Sequence, residues 1–97
     1  MNPKDEKAYW ESVALKLESG DPSERGWASH VLATAFPKEE ESNLARAVRY
    51  CGRDRIFARA QFLADHDTDE YSGSNCVAIV ERLKEADPDR QRTTRGM

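Results

Sequence analysis

The sequence is poor in the features that mark a secreted or membrane-bound protein. It has two cysteines, Cys51 and Cys76, isolated within apolar stretches, whereas a secreted chain of 97 residues usually carries more at regular spacings. Both are expected to be reduced and largely buried. No apolar run approaches the roughly 20 residues needed to span a bilayer, and the opening Met1-Asn2-Pro3-Lys4-Asp5-Glu6 is too charged for a secretory signal. A cytoplasmic location without a membrane partner is the expectation. Positive charge is also in deficit, since the formal net charge is -3, so general attraction to nucleic acid is disfavoured and any such binding must be local. A glycine-rich phosphate loop, a nucleophile elbow and a dinucleotide fingerprint are all missing. The chain is therefore read as a non-enzyme with no cofactor.

Alternation of apolar and polar residues is lacking over any useful length, while apolar positions recur three and four apart. This pattern predicts an all-α protein, a single domain of about five short helices over 1–88 with a flexible basic tail over 89–97. The first helix is expected from Pro3 to Ser19, capped by Asn2 and ended by Gly20 in a left-handed conformation, with Trp10, Val13, Ala14 and Leu17 buried. Asp21-Pro22-Ser23-Glu24 has the spacing of a capping box and opens a second helix to about Ala35. Trp27, Val31, Leu32, Ala35 and Phe36 give that helix its apolar face, and Phe36-Pro37 makes a corner. A third helix is expected over Lys38–Cys51, with Gly52 terminating it. Asp54 then caps a fourth through about Ala64, with Ile56, Phe57, Ala60 and Leu63 inward. The acidic stretch 65–74 reads as the longest internal loop, and Ser72 or Ser74 caps a last helix burying Cys76, Val77, Ile79, Val80 and Leu83. Trp10 and Trp27 are both expected in the core and Tyr9 outside it.

Against the acidic background, Arg46, Arg49, Arg53, Arg55 and Arg59 are opposed within their own segment only by Asp54. Relative to Leu44, the residues Ala47, Val48 and Cys51 fall within about a quarter-turn of a helical wheel, and Arg46 and Arg49 lie opposite. Two partners fit these cations. One is the chain itself, through Glu39, Glu41, Glu81 or the cluster Asp65, Asp67, Asp69 and Glu70, each surface pair contributing roughly 0 to 1 kcal/mol. The other is an external anion, favoured by the use of arginine throughout, because guanidinium binds carboxylate or phosphate through two parallel hydrogen bonds. Lysine is absent from Glu39 to Leu83.

Several sharper motifs fail on inspection. A helix-turn-helix register with Gly52 in the turn puts Arg53 where an apolar residue belongs, and Phe57 and Phe62 make the recognition helix too apolar for a major groove. Asp65, Asp67 and Asp69 have the spacing that opens a calcium loop, but Glu70, Ser72 and Cys76 occupy the places of its glycine, apolar residue and closing glutamate. His30, His66, Cys51 and Cys76 lack the paired spacing of a zinc site, and thiols on buried faces are poor nucleophiles. The expectation that remains is a non-catalytic adaptor, regulator or inhibitor. It recognises an acidic surface on a protein partner through Arg46, Arg49, Arg53, Arg55 and Arg59. Nucleic-acid binding through the same arginines, aided by Arg90, Arg92 and Arg95 of the tail, is the alternative.

Overall fold

Among the described residues, every helix follows a short polar residue or a glycine. The computed structural model describes residues 2–34 and 42–85. It contains α1 (Pro3–Leu17), α2 (Pro22–Ala33), α3 (Asn43–Cys51), α4 (Arg53–His66) and α5 (Glu70–Glu85), with no strand among the described residues. The protein is all-α, as the periodicity predicts. The expected corner at Phe36-Pro37 and the expected tail at 89–97 lie outside the described residues.

Helix starts follow the side chains that can satisfy free backbone amides. Asn2 accepts from the Asp5 amide at 3.0 Å, Asp21 from Ser23 at 2.9 Å and Ser42 from Ala45 at 3.1 Å. Ser42, in extended backbone, starts α3 five residues later than the charge pattern predicts. The box at Asp21 is also rearranged. Glu24 accepts from the Ser19 hydroxyl at 2.6 Å, and that same hydroxyl accepts from the Asp21 amide at 3.0 Å, so Ser19 stands between the two residues expected to pair directly.

Gly52 is where a glycine is needed: its φ of 96° belongs to a region that side-chain-bearing residues rarely enter, and it ends α3 and begins α4. Asp54 lies within the first turn of α4 and is not its cap. Gly20 does not play the expected left-handed role, since Gly52 has the one positive φ among the described residues. Instead, α1 tightens at Glu18, whose amide reaches both Ala14 and Leu15 carbonyls at 3.1 Å, and guanidinium groups from elsewhere take the next carbonyls. Arg59 Nε donates to the Leu17 carbonyl at 2.9 Å and Arg25 to that of Ser19 at 3.2 Å. The C-terminus of α2 is closed in the same way, with Arg82 donating to the Ala33 carbonyl.

The expected loop over 65–74 is mostly helix. α4 continues to His66, and α5 starts at Glu70 because Asp67 and Asp69 build the turn between them. Asp67 accepts from the Asp69 amide at 2.9 Å, and Asp69, rather than Ser72 or Ser74, caps α5 by accepting from the Ser72 amide at 3.0 Å. α5 then packs against α4 and α2, while α1 packs against α3 and α2.

The core draws on all five helices: Trp10, Val13, Ala14 and Leu17, then Ala28 and Leu32, Leu44 and Ala47, Ile56, Ala60 and Leu63, and finally Cys76, Ile79, Val80 and Leu83. Leu17, Leu32, Ile56 and Ile79 are almost inaccessible, and burial of each such side chain contributes roughly 1.5–3 kcal/mol before conformational entropy is counted. Val31, Val48, Cys51 and Phe57, all expected inside, only flank this core. Two expected core residues lie outside it: Trp27 is 42% exposed and Val77 44%. Trp10 at 3% and Tyr9 at 37% match expectation.

Candidate partner-binding surface

The five candidate arginines divide into two groups. Arg55 and Arg59 point from α4 onto α1. Arg55 binds both carboxylate oxygens of Glu18 at 2.9 Å and one of Glu11 at 2.9 Å, while Arg59 binds the Leu17 carbonyl and lies over the Phe62 ring at 5.3 Å. The hydrogen bonds from Arg55 hold the Glu18 carboxyl below its usual range, against the opposing effect of partial burial. The acids that meet Arg55 are therefore Glu11 on α1 and Glu18 at its C-cap, rather than those at 65–70. Glu11 and Glu18, seven residues apart on one helix face, were the signal that the charge pattern around Arg46–Arg59 concealed.

Arg46, Arg49 and Arg53 make up the other group. Arg49 is exposed on α3, with its guanidinium 6.0 Å from the centre of the Tyr50 ring. Arg46 is partly exposed, with a nitrogen 3.8 Å from Glu6 of α1. Arg53, just beyond the Gly52 turn, lies 4.9 Å over the Phe57 ring and 3.9 Å from Asp54. Leu44 and Ala47 are buried, so the α3 part of this group stands on the side away from the core, where the wheel places it.

The acidic cluster serves a different cation, Arg25, which the charge pattern does not single out. Arg25 Nε and one terminal nitrogen fork onto Asp67 at 3.1 and 2.9 Å, and the Asp67 side chain is wholly inaccessible. The Ser72 hydroxyl also donates to Asp67. Arg25 foremost, and Ser72 with it, lower the Asp67 carboxyl to about 2 against the cost of burial. Asp67 is thus a buried structural acid. Among the described residues no group of three or more His, Cys, Asp or Glu side chains is placed to hold a metal ion.

Burial pushes the Cys51 thiol up, and that of Cys76 to about 11. Both are free thiols, and neither environment favours a thiolate.

Among the described residues, two hollows adjoin the features above. One, of about 430 Å³, is lined by Glu6, Tyr9, Trp10, Asn43 and Arg46, beside the arginines of α3. The Trp10 ring meets Tyr9 edge-on at 4.8 Å, and its buried Nε1 has no hydrogen-bond partner. The other, of about 390 Å³, lies between the starts of α2 and α5 and is lined by Pro22, Ser23, Gly26, Trp27, Asp69 and Tyr71. Its exposed aromatic pair was missed in the sequence because Trp27 shares the phase of an apolar face.

No protein-family model matches this sequence, and no curated protein or solved structure matches it. Among the described residues no helix is long and apolar enough to cross a membrane.

Proposed function

We propose that the chain is a non-catalytic binding module, an adaptor or inhibitor acting in a reducing compartment such as the cytoplasm, that recognises an acidic surface on a protein partner. The observation that carries this reading is the placement of Arg46 and Arg49 on the outward side of α3, with Arg53 following directly after the Gly52 turn. Planar, permanently charged guanidinium groups suit carboxylates better than lysines do. Arg55 and Arg59 support the reading differently, since their contacts to Glu11, Glu18 and Leu17 fix α4 against α1 and leave the α3 arginines as the candidate surface. The raised thiols of Cys51 and Cys76 support the non-catalytic part of the reading.

The test pairs a charge reversal with two defined ligands. Arg46→Glu with Arg49→Glu is expected to retain the wild-type melting temperature within a few degrees, as surface substitutions usually do. Wild-type protein is expected to bind a glutamate-rich polypeptide, and the double variant to lose that binding. In a mobility-shift titration at moderate ionic strength, wild type is expected to leave duplex and single-stranded nucleic acid unshifted. Affinity for nucleic acid that falls linearly with salt on logarithmic axes, and flattens in the double variant, would replace the protein partner with a phosphate backbone.

A further inference from the structure

The groove between the starts of α2 and α5 combines three features. Trp27 and Tyr71 line it while remaining 42% and 54% exposed. Large aromatic side chains left open on two adjoining helices give a partner rigid apolar area at low entropic cost. Gly26, one turn into α2, leaves the groove without a side chain on its floor: a methyl group built there would lie 3.5 Å from the Tyr71 ring. At the edge stands Asp69, whose Oδ2 caps α5 through the Ser72 amide.

Aromatic faces beside a carboxylate attract an organic cation. The ring quadrupole presents negative charge on its faces, and the carboxylate adds a full charge at the rim. The molecule already shows the first part of this attraction, because the Lys16 ammonium of α1 sits 4.8 Å from the centre of the Trp27 ring. Tyr71 is held by its hydroxyl, 2.6 Å from His30 Nδ1, and the two rings stack with centres 6.1 Å apart. The aromatic wall is therefore set before any ligand arrives.

We infer that this groove is a binding site for an arginine side chain carried on a segment of a partner protein. The planar guanidinium can stack on an aromatic face while donating to Asp69, which a compact ammonium does less well. The site is independent of the α3 arginines, since it is built on α2 and α5 and has the opposite charge preference. With both, the chain can bridge one acidic and one basic partner.

The probe is an acetylated, amidated Gly-Gly-Arg-Gly-Gly peptide, with a counterpart carrying citrulline, which has nearly the same shape and no charge. Nitrogen–proton correlation spectra of the full chain report on two indoles, exposed Trp27 and buried Trp10. The arginine peptide is expected to shift the Trp27 indole and the Gly26 and Asp69 amides saturably, leaving Trp10 in place, and the citrulline peptide is not. Tyr71→Ala and Asp69→Asn should each weaken binding roughly three- to tenfold. Asparagine caps a helix about as well as aspartate, so the second change removes charge without removing the cap. Lys16→Gln should strengthen binding by removing a competing cation. Absence of a saturable shift at millimolar peptide, equal shifts with citrulline, or unchanged binding in Asp69→Asn would each overturn the site. Concentration-dependent self-association lost in both Arg49→Glu and Asp69→Asn would assign the groove to a second copy of this chain and overturn the partner proposed.

Discussion

Arg25 and Asp67 are 42 residues apart in sequence and joined by two hydrogen bonds in the fold. Neither partner could be chosen from charge spacing, because a fork between distant helices depends on how α2 packs beside the α4–α5 turn. The nearby acids Asp65, Asp69 and Glu70 look equivalent to Asp67 in the sequence. Burial separates them, and it makes Asp67 a pH sensor of stability. Its carboxyl is lowered to about 2 in the folded protein. The unfolded value is about 3.9, so the native state favours the ionised form and the stabilisation is present above that value. It disappears as pH falls from about 4 through about 2, a loss of about 2 kcal/mol from this group. Glu18, also lowered by its arginine partner, acts in the same direction. Urea melts between neutral pH and pH 2 should show this acid limb, and Asp67→Asn should be less stable at neutral pH with a flatter limb. An identical acid profile in the variant would mean that Asp67 ionises alike in both states.

At the scale of helices, sequence signals were legible where one residue decides the outcome locally. Asn2 and Asp21 begin α1 and α2 as their side chains require, and Gly52 separates α3 from α4 by adopting a conformation other residues avoid. The start of α5 was hidden because Glu70–Ser74 offers one aromatic, a glycine and no apolar period, and is held instead by Asp67, Asp69 and Ser72. The end of α1 was hidden because the carbonyl of Leu17, its last residue, is taken by an arginine from another helix. Gly26 gives this scale its test. A glycine inside a helix costs stability through the freedom it has when unfolded, and at Gly26 a methyl group meets only ordinary contact with Tyr71. Gly26→Ala should therefore raise stability by roughly 0.5–1 kcal/mol, read as a higher urea midpoint at unchanged slope. A lower midpoint would mean that α2 and Tyr71 approach more closely than an alanine allows.

For the molecule as a whole, arginine is what ties helix ends across the bundle. Arg59 closes α1 from α4, Arg25 links the end of α1 to the turn before α5, and Arg82 closes α2 from α5. This explains why only part of the candidate surface was readable in advance: a run of arginines announces a need for acceptors, but whether those acceptors are another molecule or the carbonyls and carboxylates of α1 is fixed by tertiary structure. The division can be measured. Arg59→Ala leaves the Leu17 carbonyl without its guanidinium donor and should lower stability by about 1–3 kcal/mol, the range for losing one partner of a part-buried polar contact. Arg55→Ala should act in the same direction by releasing Glu11 and Glu18. Arg46→Glu with Arg49→Glu should leave the urea midpoint nearly unchanged while abolishing binding to an acidic polypeptide. Far-ultraviolet circular dichroism and the fluorescence of buried Trp10, isolated in a Trp27→Phe background, should report the same single transition in each case, since one core draws on all five helices. A neutral Arg59→Ala would show that water serves the end of α1 equally well, and that the contact of Arg59 with the Leu17 carbonyl does not hold α4 to α1.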